Sequence, residues 1–374
     1  MLRTADLDYE LPESRIATVP ATPRDSARLM VIGRDGREVL QHAIVRDLPR
    51  FLRAGDVLVF NNTRVLPARL IGRREDTGGQ VEGLFLGSSL VGGTEHWTVL
   101  LRAKKVREGM RFSLEAEEGQ PSGVLLVAVS RDLSEGGAWL VRVEKSGAGA
   151  ALEAAGHIPL PPYILKAREK QHAGIPEALD RDRYQTVYAK DPGSVAAPTA
   201  GLHFTAELLA RLKEIGVERV DVTLHVGTGT FRPVETETVE DHPMHSEWCS
   251  MSIAAVGAVR GARAQGRRVI AVGTTSARTL ESYASHLEAH EGREIPSYLE
   301  TRLLITPGYP WRWVSGMLTN FHLPRSSLLA MVGSFLGGSL AEDSAGIADL
   351  KRLYREAIAR EYRFYSYGDA MLIV

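Results

Sequence analysis

Apolar positions along the chain fall into two textures. Up to about residue 68, and again from about 151, short apolar runs alternate with stretches of helical period. Ala27–Ile32 reads as a strand, Arg34-Asp35-Gly36-Arg37 as a hairpin turn and Ile44–Leu52 as a helix stopped by Gly55. Asp56–Phe60 is an apolar strand that runs straight into the polar quartet Asn61-Asn62-Thr63-Arg64, where open α/β sheets place ligand contacts. Leu208, Leu209, Leu212 and Ile215 form one stripe between a Thr205 N-cap and Gly216. Glu218–Val226, Arg268–Val272 and Thr301–Ile305 read as strands. Ile253–Gln265, Thr275–His286, Ser326–Phe335 and Ala345–Glu361 read as helices, and Phe364–Val374 ends the chain in extended form. Strands alternating with helices of this length predict βαβ units.

From Arg69 to about Glu144 the runs shorten and alternate (LIGR, VEGLFLG, HWTVLLRA, MRFSL, GVLLVAVS, AWLVRV), with Gly, Glu, Asp and Ser clusters between them. That spacing without helices predicts a small antiparallel barrel or sandwich, and a closed barrel is favoured because it leaves no exposed edges. The expected fold class is therefore α/β: a mostly parallel sheet layered with helices, formed by 1–68 and 151–374, with a small inserted antiparallel β-barrel domain at 69–150.

Composition changes this picture little. The chain has 374 residues, 44% hydrophobic and 24% charged, as in ordinary globular proteins. A net charge of −1 means that any nucleic-acid surface must be local. The clearest basic cluster is Arg102, Lys104, Lys105, Arg107 and Arg111, inside the barrel region. The single cysteine, Cys249, excludes an internal disulfide and a cysteine-rich zinc site, and points to the cytoplasm. Met1–Pro20 does not read as a signal peptide, and the apolar stretch Ser326–Ala341 is too broken by glycines to span a bilayer, so no membrane partner is expected.

Candidate chemistry gathers on loops. The segment Tyr184–Phe204 is small and apolar where a solvated linker would be charged, and it ends on Gly201-Leu202-His203-Phe204. Three further loops follow strands: His225-Val226-Gly227-Thr228-Gly229, Gly273-Thr274-Thr275-Ser276-Ala277-Arg278, and Thr319-Asn320-Phe321-His322. Glycine lets a ligand approach the backbone, and free amides at a helix start favour a carboxylate or phosphate. No dinucleotide or P-loop signature is present. Ser276 lacks the Gly-x-Ser-x-Gly context of a nucleophile elbow. His203, His225, His242, His245 and His322 lie on loops, which suits proton transfer near neutral pH. The His242-Pro243-Met244-His245 spacing is not that of two helical metal ligands, so no metal is expected. A metal-dependent hydrolase and a non-catalytic RNA-binding protein are the alternative classes.

The segments FNNTRVLPARL, RYQTVYA, GSVAAPTAGLHFT, VTLHVGTGTFRPV, HPMHSE, VGTTSARTLES, TNFHLPRSSLL and YRFYSYGDAMLI, in this order over nearly the whole chain, resemble the S-adenosylmethionine:tRNA ribosyltransferase-isomerase family of queuosine biosynthesis. Thr228 and Ser315 depart from its pattern. The resemblance implies an α/β domain with an inserted β-barrel. It also implies transfer and isomerisation of the ribosyl part of S-adenosylmethionine onto 7-aminomethyl-7-deazaguanine in a tRNA anticodon. The products are epoxyqueuosine-tRNA, adenine and methionine. S-Adenosylmethionine is then a consumed co-substrate, with no cofactor, and the partner is tRNA with a 7-deazaguanine-modified anticodon; a monomer is expected. The catalytic candidates are His203, His225 and His322. The substrate-binding candidates are Asn61, Thr63, Arg64, Gly201, Gly227, Gly229, Thr274, Thr275, Ser276, Arg278, Thr319 and Asn320. For tRNA phosphates they are Arg64, Arg69, Lys104, Lys105 and Arg107, with Tyr163, Tyr184 and Tyr188 as stacking candidates.

Overall fold

The computed structural model describes residues 1–35, 39–116, 119–132, 137–144, 148–171, 174–227, 233–337 and 345–374. Contacts divide the chain into two compact units, one of Met1–Arg64, Pro161–Ala173 and Gln185–Val374, the other of Val65–Leu160 and Gly174–Tyr184.

The first unit is built on a nine-stranded sheet in the order Leu299–Thr301, Glu247–Ser250, Glu218–His225, Val57–Asn61, Val269–Val272, Gly316–Asn320, Ala370–Ile373, Arg28–Ile32 and Val39–Ile44. Val57–Asn61, Val269–Val272, Gly316–Asn320 and Ala370–Ile373 are buried at every position, which explains their unbroken apolar runs. Period-two alternation divides their side chains between two cores. Val57, Val59, Val269 and Ala271 face one, with the helices Ile253–Ala264, Thr274–Ala289, Ser327–Leu336 and Ala345–Ala359. Leu58, Phe60, Ile270 and Val272 face the other, with the helix Ala206–Glu214. Thr205, Ser252 and Ser326 cap their helices, each accepting a backbone N–H at 3.1 to 3.2 Å.

The fold class is α/β with an inserted barrel, but the sheet is mixed. Parallel pairing joins Glu218–His225, Val57–Asn61, Val269–Val272 and Gly316–Asn320, plus Ala370–Ile373 with Arg28–Ile32. The remaining interfaces are antiparallel. Three local expectations also shift. Ile44–Leu52 holds a 3₁₀ helix at Val45–Arg50, since Pro49 has no N–H to continue an α-helix. The expected Thr301–Ile305 strand is instead Leu299–Thr301. Phe364–Val374 pairs as a strand only at Ala370–Ile373, because Tyr365 at φ 72° turns the chain before it. Gly36 and Arg37 of the expected hairpin turn lie outside the described residues.

The second unit is a closed antiparallel barrel. Its strands run Arg69–Arg74, Gln80–Val91, Thr94–Arg102, Ala138–Glu144, Pro121–Asp132 and Arg111–Glu115, and the last pairs back to the first. Trp97, Val99, Phe112, Leu126 and Val141 are buried in it. The segment 174–184, which the pattern of the chain assigns to the α/β region, clusters with this unit. Its helix Glu177–Arg183 is held there by ionic and polar bonds. His157 lies 2.7 Å from Glu177 through Nδ1 and 3.1 Å from the Glu115 carbonyl through Nε2, and Arg181 donates to the Gly156 carbonyl at 3.1 Å.

Candidate active site

The four parallel strands at the centre of the first unit end on one edge of the sheet. Their carboxyl ends therefore bring together the loops that begin at Asn62, Val226, Gly273 and Phe321. A cleft of about 870 Å³, open solvent at its mouth included, lies there. Its walls include Thr199, Ala200, Val226, Gly273, Thr274, Thr275, Thr319, Asn320, His322 and Tyr365.

The Gly273 loop gives the cleft its anion-receptive wall. Gly273 takes φ 90°, a left-handed conformation natural for glycine, and its N–H donates to Leu318 O at 2.8 Å. Ala277 N–H returns to Gly273 O, so the first-turn amides of Thr274, Thr275 and Ser276 lack partners within the helix. Thr275 Oγ1 is buried without a hydrogen bond. Ser276 is placed differently from the expectation: its hydroxyl donates at 2.9 Å to the carbonyl of Val272, the last residue of the preceding strand, and it is absent from the cleft wall.

The Asn320 side chain is fixed from three sides. Thr199 Oγ1 donates to Asn320 Oδ1 at 2.8 Å, while Nδ2 donates to Tyr365 O at 3.1 Å and to His203 Nε2 at 3.3 Å. His203 is thus buried behind Asn320, away from the cleft lining. Burial, with the charges of Arg363 and Arg24, lowers its pKa to about 3. His322 does face the cleft; its Nε2 lies 2.8 Å from Thr319 Oγ1, and burial lowers its pKa to about 4. His225 stands outside the cleft wall with Nδ1 2.8 Å from Thr63 Oγ1; burial lowers its pKa, partly offset by Asp191.

Several other expected ligand groups serve the fold. Asn61 is completely buried, and its amide bonds the backbone of Leu224 and Thr63 at 3.0 to 3.1 Å. Arg278 forms a buried ion pair with Glu247, whose other oxygen accepts the Gly227 N–H at 3.1 Å. Burial lowers the Arg278 pKa to about 10. Gly201 faces Tyr188, whose hydroxyl would lie 2.0 Å from an added Cβ. Gly229 and Thr228 lie outside the described residues. Ser315 bonds Val269 N and O at the opposite end of the Gly316–Asn320 strand from the cleft.

Of the basic candidates, Arg64, Lys104, Lys105 and Arg107 are exposed, and Arg69 pairs with Glu82 at 3.3 Å. Tyr184 is fully buried, which removes it as a stacking surface, and Tyr188 packs edge-on against Phe60. Tyr163 lines the cleft, with its hydroxyl 2.5 Å from Ser366 Oγ. Sequence reading took Tyr163 only as a stacking candidate and assigned Tyr365 and Ser366, within YRFYSYGDAMLI, no place in the site, so the wall that the three form was missed. Among the described residues no group of three or more His, Cys, Asp or Glu could hold a metal ion, and no helix is long and apolar enough to cross a membrane.

Fold and cleft together define an α/β protein with a candidate active site at the carboxyl ends of its parallel strands. A family model described as "Queuosine biosynthesis protein" matches residues 4–373, and the chain belongs to that family. It is 46% identical to an S-adenosylmethionine:tRNA ribosyltransferase-isomerase of Anaeromyxobacter sp. (strain Fw109-5), covering 100% of this chain and 99% of the relative. A protein of the same name from Desulfitobacterium hafniense is 44% identical, with 100% of both chains covered. The crystal structure of an S-adenosylmethionine tRNA ribosyltransferase from Thermotoga maritima is similar with a TM-score of 0.52 and 30% identity, over 99% of this chain and 100% of that one.

Proposed function

We propose that the chain carries the activity for which these relatives are named. It is an S-adenosylmethionine:tRNA ribosyltransferase-isomerase, a transferase of queuosine biosynthesis. The observation that carries this is the full-length match at 44–46% identity to relatives of one name. The cleft supports it with unsatisfied amides and a free hydroxyl suited to the methionine carboxylate of S-adenosylmethionine.

In finer detail, the ribosyl group passes to 7-aminomethyl-7-deazaguanine in the tRNA anticodon, and adenine and methionine leave. The sulfonium acidifies the neighbouring 5′ hydrogens, so the reaction begins with proton removal and needs a base within hydrogen-bond reach. His322, on the cleft wall, is the foremost candidate; His203 acts through Asn320, and His225 stands at the adjoining strand end. Thr274 and Thr275 hold the carboxylate. Lys104, Lys105 and Arg107, with Arg64 and Arg69, meet tRNA phosphates. The enzyme acts as a cytoplasmic monomer without a cofactor. Incubation with S-adenosylmethionine and precursor tRNA is expected to release adenine in proportion to modified tRNA. No adenine release from folded protein refutes the reading.

A further inference from the structure

The antiparallel flank of the sheet carries an exposed aromatic pair that the chemistry above leaves unused. Register sets His225 opposite Trp248, and Trp248 opposite Glu300. Directly opposed residues of antiparallel strands project from one face, so these three form a row. Tyr298, two positions before Glu300, lies diagonal to Trp248. The Trp248 and Tyr298 rings stack with centroids 4.2 Å apart and planes 7° from parallel, yet the residues stay 49% and 51% exposed. Glu247 and Cys249, on either side of Trp248, are buried.

We propose that Trp248 and Tyr298 form a stacking platform for an unpaired base of the tRNA, flanking the nucleotide that reacts in the cleft. This rests on the tRNA reading given above. Continuity with the cleft favours that occupant. Val226, the residue after His225, lines the cleft, and Trp248 stands one strand spacing, about 4.8 Å, from His225. Shape favours it too, since an open sheet face bearing aromatics is a common way to hold single-stranded RNA bases. Glu300 at the end of the row adds chemical selectivity: a carboxylate accepts an N–H from a base edge and repels phosphate.

Tryptophan fluorescence isolates the platform. Trp97, Trp139 and Trp313 are buried, and Trp311 is half-buried with its N–H donated to Ser334, so Trp248 dominates the fraction that acrylamide quenches. Precursor tRNA is expected to protect that fraction. Trp248→Ala is expected to raise the Kd for precursor tRNA by roughly 5- to 150-fold, the range for losing one base stack. Trp248→Phe should retain most of the affinity, and the affinity for S-adenosylmethionine should not change in either variant. If Trp248→Ala and Tyr298→Ala both bind precursor tRNA as the wild type does, the proposal is overturned. It is also overturned if Trp248→Ala keeps its tRNA affinity but changes its sedimentation coefficient, which assigns the face to a second copy of the chain. A wild-type protein that neither binds precursor tRNA nor releases adenine instead refutes the functional reading, before any variant is made, and this proposal with it.

Discussion

Glu281 offers the sharpest test of how the cleft is assembled. It lies on the helix Thr274–Ala289, two turns beyond Thr274, and is completely buried. Its Oε1 accepts from Trp313 N at 2.8 Å and Val314 N at 3.0 Å; its Oε2 accepts from Arg312 N at 2.9 Å and Tyr309 Oη at 3.3 Å. Those three consecutive amides lead into the Gly316–Asn320 strand, which carries Thr319 and Asn320 to the cleft. One carboxylate thus ties the helix that supplies the anion-receptive wall to the strand that supplies the opposite wall.

Glu281→Gln keeps the shape and exchanges one oxygen for NH₂. With the remaining oxygen toward Trp313 and Val314, the NH₂ meets the Arg312 N–H donor to donor, while Tyr309 can rotate its hydroxyl to accept. One buried amide loses its acceptor, at about 1–3 kcal/mol. The two surviving bonds fall from charge-assisted to neutral, roughly halving each. Relief of a buried charge offsets part of this, leaving about 2–4 kcal/mol. At about 1.4 kcal/mol per factor of ten, hydrogen exchange at residues 312–314 should accelerate by about 30- to 700-fold, with the barrel amides unchanged. Wild-type exchange at 312–314 refutes the anchor, as does an acceleration spread equally over both units.

Three further outcomes follow from the geometry. Gly201→Ala places a Cβ 2.0 Å from Tyr188 Oη and should destabilise the first unit by about 1–3 kcal/mol; Tyr188→Phe should recover part of that, and an equal loss in both backgrounds in thermal melts would exclude the clash. In the barrel, burial alone would lower the His157 pKa, but the Glu177 hydrogen bond and charge, with the Glu115 carbonyl, raise it overall, while the same pair lowers that of Glu177. The histidine's stabilisation is complete below about pH 6.5 and lost as pH rises through its folded value, and the carboxylate's is lost as pH falls through its own. Exchange protection of 177–183 should therefore peak in mildly acidic buffer in the wild type and lose that peak in His157→Gln. Changing Lys104 and Lys105 to Glu should weaken tRNA binding and flatten its slope against log salt by roughly 0.7–0.9 per lost contact, whereas unchanged affinity removes this turn from the interface.

What could be read before folding follows from range. Apolar runs mark the central strands and Thr205 marks its cap, since period and capping are local signals. Strand direction is not local: an apolar run looks the same in either sense, so the sheet reads as mostly parallel although Ala370–Ile373 runs antiparallel to Gly316–Asn320, and the short antiparallel strand Glu247–Ser250 is not read at all. Site residues divide likewise. Thr275, Asn320 and His322 meet in one cleft, as their strand-end positions imply. Asn61 and Arg278 look like ligand groups by type and place, yet their partners are Leu224 and Glu247, far along the chain. Glu281 carried no signal, because an acid on a helix is ordinary until its three amides arrive from the next strand.

The histidines show how burial and chemistry meet. His203 and His322 are held at about 3 and 4, and His225 is also lowered, all mainly by burial, so each is neutral near pH 7. For the proposed binding of a sulfonium cation in the cleft, the neutrality of His322 matters most, since a protonated imidazole in the wall would repel the ligand at low dielectric. The same depression makes each histidine a weak base in the resting state. In the proposed reaction, proton removal by His322 would then draw on the bound ligand, whose sulfonium charge acidifies the adjoining carbon, and not on a strong base. Asn320, fixed by Thr199 and Tyr365, donates to His203 Nε2 and so leaves the proton of that neutral ring on Nδ1. That arrangement makes His203 a support for the orientation of Asn320, and leaves His322 the histidine that lines the cleft, as the proposed proton transfer requires.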